Sequence, residues 1–214
     1  MNSEEVIVKR ERVKEGLPLE QYLDIEQQLL QTVTDELIFS WIVEPTVIYG
    51  HHQVREQEVN DEYCSRHNVR VVQRKSGGGC VYADKGNLMI SFVSPSTHSI
   101  EVFERFLKLL ATGLRRLGYE AVTTAHNDVL VDGHKVAGTA CYTSEKGTLV
   151  HACMLYDSDL EALTEALKPP MEKLTRHAVQ SVRQRVINLK DLIDQGPMSA
   201  FREKLMNTIC SEEF

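Results

Sequence analysis

Asp132-Gly133, between Val129–Val131 and His134–Ala137, constrains this chain more than any other stretch. Two short strand-forming runs joined by two turn residues can pair only antiparallel, because so short a connection has no length for a crossover. Asp-Gly is also a dipeptide that accepts positive φ at both central positions of a hairpin turn. With that turn, Val131 pairs with His134, Leu130 with Lys135 and Asp128 with Ala137. Alternation then sets Asp128, Leu130, Lys135 and Ala137 on one face, with Asp128 and Lys135 as diagonal neighbours in reach of each other or of a shared ligand. A lysine on a strand face is usually solvated; with Leu130 and Ala137 beside it, a partly buried pocket face fits nearly as well. The following Val136-Ala137-Gly138-Thr139-Ala140 lets the backbone pack closely against something.

A second constraint is Ser76-Gly77-Gly78-Gly79, which follows the β-branched run Val69–Val72 and precedes the apolar pattern of Val81, Leu88, Ile90 and Phe92. Three glycines cost backbone entropy and give a core nothing to pack. In compensation, successive N–H groups free of Cβ atoms can form a concave nest for a carboxylate or phosphate. Arg74 and Lys75 flank it with positive charge. On the glycines alone, a bulge or tight turn is an equal reading. His51-His52 suggests a metal, but no third ligand stands at a recognisable spacing, so that stretch reads as a loop lining a pocket.

Elsewhere the periodicity predicts a helix over Leu17–Val33, its face made by Tyr22, Ile25, Leu29, Leu30 and Val33 with Glu26 set aside. It predicts strands at Val6–Val8, Phe39–Val43, Thr46–Tyr49, Val69–Val72, Leu88–Val93 and Thr148–Leu155. A clear amphipathic helix runs over Ser99–Leu117, stopped by Gly118. Shorter helices fall at Asn60–His67, Ser158–Leu167 (stopped by Pro169-Pro170), Leu189–Ile193 capped by Asn188, and Met198–Ile209. Ser181–Val186 reads as a polar, basic loop. Helices do not alternate one for one with the five to eight strands, so the fold class is α+β, a mixed, mainly antiparallel sheet with helices packed on it. Composition defends no domain boundary.

The net charge of −7 and the lack of a basic stripe argue against nucleic acid as a partner, while leaving room for a local basic pocket. Five cysteines (Cys64, Cys80, Cys141, Cys153, Cys210), odd in number and without CxxC pairing, fit reduced thiols better than a disulfide framework. The start MNSEEVIVKRER has no apolar core, and no run approaches the roughly 18 apolar residues of a membrane span. The expectation is a soluble, cytoplasmic protein.

SGGGCVYADKGN, HNDVLV, DGHKVAGTA and SVRQRV occur in the order seen in lipoate–protein ligases, and the chain closely resembles that family's catalytic domain from about Tyr22 to Leu192. The resemblance implies the biotin/lipoate ligase fold, class II aminoacyl-tRNA synthetase-like, over a single catalytic domain spanning 1–214. Biotin ligases carry an arginine-bearing glycine loop instead, which ranks biotin second as substrate. It implies that lipoate and ATP, with Mg²⁺, give lipoyl-adenylate and pyrophosphate. The acyl group then passes to a lysine on a lipoyl domain of a 2-oxoacid dehydrogenase E2 subunit or on the glycine-cleavage H protein. Lys135 matches the lysine that contacts the acyl carboxyl and adenylate phosphate, and Arg74 the arginine near the phosphate. Gly77, Gly78 and Gly79 would supply N–H donors for developing negative charge. Asn127-Asp128 matches the family's Asn-Asp pair, with Asp128 holding Mg²⁺ or orienting Lys135; His151 matches a pocket histidine, and Gly138 and Ala140 would leave room for the acyl tail.

Ala83 and Ala152 depart from the family pattern, which has a histidine and a glycine there. The accessory domain of larger ligases is not expected here; a separate subunit supplying it, a domain working alone and a reduced set of partial reactions all fit. The competing expectation is an octanoyl or lipoyl transferase working through an acyl-cysteine without ATP. The two positions where such enzymes carry it hold no cysteine here: after the Leu160–Leu167 helix the chain reads Lys168-Pro169-Pro170-Met171, and Leu114–His126 contains none. A non-catalytic paralogue is disfavoured by the retained lysine and glycines. Arg183 and Arg185 are candidates for docking an acidic acceptor domain, or for a structural ion pair.

Overall fold

Every residue of the strand Asn87–Ser94 is buried, with Leu88, Ile90 and Phe92 in one apolar cluster and Met89 and Val93 in another. A strand apolar on both faces belongs at the centre of a covered sheet. The computed structural model, which describes residues 8–124, 128–168 and 186–210, puts it there. In chain order the strands are β1 (Lys9–Arg10), β2 (Leu37–Trp41), β3 (Thr46–Tyr49), β4 (Arg70–Gln73), β5 (Val81–Ala83), β6 (Asn87–Ser94), β7 (Ala121–Thr123), β8 (Asp128–Val131), β9 (His134–Ser144) and β10 (Gly147–Leu155). The helices are α1 (Leu19–Thr32), α2 (Arg55–Glu58), α3 (Asp61–Arg66), α4 (Ser99–Arg116), α5 (Leu160–Ala166), α6 (Leu189–Leu192) and α7 (Met198–Cys210).

A seven-stranded sheet runs β1-β2-β6-β10-β9-β8-β7, antiparallel except where β1 joins β2, and a three-stranded sheet runs β4-β3-β5 with β3 and β4 parallel. The α+β, mainly antiparallel expectation holds. Three strands are only two or three residues long (β1, β5, β7), too short for alternation to register, which is why the pattern predicted fewer than the ten described.

Helices α4 and α7 cover one face of the large sheet, where Phe106, Leu110 and Leu114 meet Phe201, Leu205 and Ile209 with no more than 1% exposure each. Each such side chain contributes about 1.5–3 kcal/mol on transfer from water. Gly113 lies at this crossing: a Cβ there would stand 2.9 Å from Ile209 Cγ1, so a larger residue would separate the helices. The other face carries α1 and part of the small sheet, through Tyr22, Leu30, Ile48 and Ala83. The site forms between these two sheets.

The hairpin forms as expected, with Asp132 at φ +51° and Gly133 at φ +76°, but its register departs from the simple ladder. A bulge between Val129 and Leu130 sets Ala137 opposite Val129 and Gly138, not Ala137, opposite Asp128. Ala137 therefore joins the buried cluster with Val129 and Val136, and Gly138 takes its place beside Lys135. Asn188 is the N-cap residue of α6 as expected, but its side chain makes no cap hydrogen bond and clamps Ser158 instead, accepting from the backbone N–H and donating to the carbonyl, both at 2.9 Å. The predicted strand Val6–Val8 lies almost wholly outside the described residues, as do Pro169-Pro170 and Ser181–Arg185. Among the described residues, no helix is long and apolar enough to cross a membrane.

Candidate active site

Period-two alternation builds the floor of the site. Register aligns Gly138, Cys153, Met89 and Trp41 in one row across β9, β10, β6 and β2, and Ala140, His151, Ser91 and Phe39 in the next. Gly138 and Ala140 add almost no bulk, and a cavity of about 110 Å³ remains against Trp41, Met89, His151 and Cys153. The glycine loop roofs it, since a Cβ on Gly78 would lie 3.4 Å from the Ala140 methyl.

Lys135 Nζ lies 2.7 Å from Asp128 Oδ1, and the two side chains are 38% and 28% exposed. A Cβ on Gly138 would come within 3.0 Å of Nζ and 3.1 Å of Cε, so the glycine vacates the volume the lysine occupies. Lys135 also lines a second cavity of about 400 Å³, whose walls include Asp128, Leu130, Leu155, Leu163 and Leu167. The ammonium thus stands where a narrow apolar cavity meets a wider one.

The glycine loop is held from within by Arg74, which is 5% exposed. Its guanidinium donates to the carbonyls of Ile48 (3.1 Å), Gly77 (2.8 Å) and Gly79 (2.7 Å), and Nε to Ser76 Oγ (3.0 Å). Burial lowers its pKa, the loss of hydration outweighing the nearby Cys80, Cys153 and Glu26. Arg74 therefore shapes the loop while also lining the cavity. Gly78 sits at φ +89°, and a Cβ on Gly50 would lie 2.2 Å from its carbonyl oxygen, so the glycine before the two histidines lets the loops touch.

Behind the floor runs a buried polar chain. Trp41 Nε1 donates to Ser91 Oγ (2.8 Å), Ser91 Oγ to Glu26 Oε1 (2.6 Å), and His151 Nε2 meets Ser76 Oγ (2.9 Å). His151 Nδ1 is sealed from solvent with no hydrogen bond of good geometry; Glu26 Oε1 stands 3.4 Å away. Glu26 is 1% exposed. Sequence reasoning set it aside, although a carboxylate inside the apolar stripe of α1 was the signal; Ser76 offered only its place before the glycines, and Ser91 and Trp41 offered none.

The structure thus brings Arg74, Gly79, Asp128, Lys135, Gly138, Ala140 and His151 around two adjoining cavities; Gly78 stands over Ala140, Gly77 is held in the loop by its carbonyl on Arg74, and Asn127, Arg183 and Arg185 lie outside the described residues. His51 and His52 are exposed, their rings 4.9 Å apart. Among the described residues no group of three or more His, Cys, Asp or Glu is arranged to hold a metal. All five cysteines are free. Burial pushes the Cys80 and Cys153 thiols, both of which line the two cavities, up to about 12.

Residues 18–210 match the family model of the lipoyl protein ligase A/B catalytic domain. Lipoate-protein ligase LplJ of Bacillus subtilis is 32% identical over 200 residues, covering 91% of this chain and 58% of the relative. Lipoate–protein ligase 1 of Staphylococcus aureus is 32% identical over 194 residues, covering 89% and 59%. The chain therefore spans under two thirds of the length of these curated relatives. Among solved structures, the bi-partite lipoate protein ligase of Thermoplasma acidophilum, described with its E2 lipoyl domain, superposes with a TM-score of 0.82 at 28% identity over 94% of this chain and 82% of the other. A lipoate-protein ligase A bound with ATP gives 0.80 at 25% identity, covering 94% and 83%.

Proposed function

The chain belongs to the family of lipoyl protein ligase A/B catalytic domains, and from that premise we propose that it activates lipoate with ATP and transfers the lipoyl group to a protein lysine. The observation that carries this reading is Lys135 at the junction of the two cavities, beside Asp128 and sharing a cavity with Gly79. The apolar cavity over Gly138 and Ala140 takes the acyl tail, which leaves its carboxylate at the Lys135 ammonium. The wider cavity, with its leucine walls, takes the nucleotide.

In the first step a carboxylate oxygen attacks the α-phosphorus of ATP and pyrophosphate leaves. Lys135 offsets the charge on the carboxylate and the pentavalent phosphoryl oxygens, a preorganised cation in a partly water-excluded site. In the second step the neutral acceptor ε-amine attacks the acyl carbon, the bond from that carbon to the phosphate oxygen breaks, AMP departs and the amine nitrogen releases one proton to solvent. The acceptor lysine belongs to a lipoyl domain of a 2-oxoacid dehydrogenase E2 subunit or to the glycine-cleavage H protein. Asp128 offers one carboxylate, the number with which Mg²⁺ is held when phosphate oxygens and water complete its shell. The donor set suits a Mg²⁺ that arrives with ATP, where it would neutralise phosphate charge.

The rival acyl-cysteine transferase needs a thiolate beside Lys135, and thiols pushed up to about 12 by burial stay protonated at neutral pH. Incubation with ATP, Mg²⁺ and lipoate should release pyrophosphate and, with a lipoyl domain present, add one lipoyl mass to it. No pyrophosphate, together with ATP-independent transfer from an acyl carrier, would overturn the proposal.

A further inference from the structure

The buried polar chain starts from an obligate donor at each end. Trp41 Nε1 and Arg74 Nε stand at its two ends, and both groups can only donate. Ser91 Oγ accepts from Trp41 and passes its own proton to Glu26. At the other end, Ser76 Oγ accepts from Arg74 Nε and lies 2.9 Å from His151 Nε2, where its own proton can go. With Ser76 as the donor, Nε2 is the unprotonated ring nitrogen and the proton sits on Nδ1, 3.4 Å from Glu26 Oε1. Both arms converge on Glu26.

Glu26 does not line the cavity that contains Lys135. It lines a neighbouring one of about 190 Å³ that shares Leu23, Arg74 and His151 with it. An effect of Glu26 on chemistry at the carboxyl end would therefore travel through His151 and Ser76 to the carbonyls that Arg74 gathers.

We infer that Glu26 is a positioning residue for acid activation, holding His151 as the Nδ1–H tautomer so that Nε2 remains an acceptor for Ser76 and the Ser76–Gly79 loop keeps its shape at the cavity that Gly79 shares with Lys135. The inference deepens the ligase reading and rests on it. It makes Glu26 matter even for an acid too short to touch His151.

The test measures pyrophosphate release by the full chain with lipoate and, separately, with butanoate. Glu26→Ala should lower kcat by about tenfold or more for both acids, as misplacement of a catalytic surface does. Glu26→Gln keeps an acceptor oxygen and should stay within about threefold of wild type. Ser76→Ala should reproduce the loss, and the double variant with Glu26→Ala should be no worse than either single one, since both break one path. Nitrogen-15 NMR of the histidine-labelled protein should show the Nδ1–H tautomer at His151. A loss confined to KM for lipoate, with butanoate turnover unchanged, would make Glu26 a shaper of the tail cavity and overturn the inference. An Nε2–H tautomer in the wild type would overturn it too, and that measurement stands if Glu26→Ala fails to fold. Absence of pyrophosphate from the wild type with either acid would instead remove the ligase reading, leaving the tautomer test intact.

Discussion

Arg74 and Lys135 line the same cavity, yet Arg74 is 5% exposed with its guanidinium on three backbone carbonyls and a serine, while the Lys135 side chain is 38% exposed and pairs with Asp128. The planar fork of a guanidinium suits the first task, since it can collect several acceptors at once and fix them relative to one another. An ammonium on a flexible stem suits the second, because it can exchange one carboxylate for another without disturbing a loop. One wall of the site is held by a cation committed to structure, and the other presents a cation that can change partners.

That contrast can be broken by substitution. Lys135→Ala should lower adenylate formation by about 10²–10³-fold while the melting temperature barely moves, read by pyrophosphate release and thermal unfolding. Should wild-type turnover persist, the mobile cation is not part of the chemistry. Arg74→Lys should do the opposite on stability, lowering it by roughly 2–4 kcal/mol because an ammonium cannot satisfy the buried carbonyls of Ile48, Gly77 and Gly79 together. An unchanged denaturant midpoint would erase the distinction between the two walls. Gly50→Ala reaches the same loop from outside; its methyl meets Gly78 O at 2.2 Å, and displacing that backbone should reduce stability by roughly 1–3 kcal/mol, measurable by urea unfolding. The smallest change is expected for Asp128→Asn, less than about 1 kcal/mol, since a half-exposed ion pair is screened by water. Its readout is an altered KM for lipoate or ATP at near-normal stability; a large loss of stability would show that this pair, too, is structural.

The Asp132-Gly133 turn was legible because its φ requirements are local, and so was the α4 stripe, because 3.6-residue periodicity needs no partner to be seen. Lys135, Asp128 and the glycines were legible as a constellation of motifs. The bulge was not. Alternation assumed an unbroken ladder, and one extra residue on β9 exchanged Ala137 for Gly138 beside the lysine. Glu26 failed for a related reason: on its own helix it interrupts an apolar stripe, and only the approach of Ser91 and His151, from strands 65 and more residues away, gives it partners.

The sequence by itself determined the longer elements, the hairpin and the glycine loop, consequences of short-range sterics and hydrophobic period, while the candidate cation was singled out by the family resemblance of its motif. Tertiary structure alone decided what each charge is for. Burial and the direction of surrounding carbonyls turned Arg74 inward as a clamp, and a bulge with a vacant Cβ gave Lys135 room at the meeting of two cavities. Both outcomes depend on backbone groups brought together from distant segments, and no local pattern encodes their meeting.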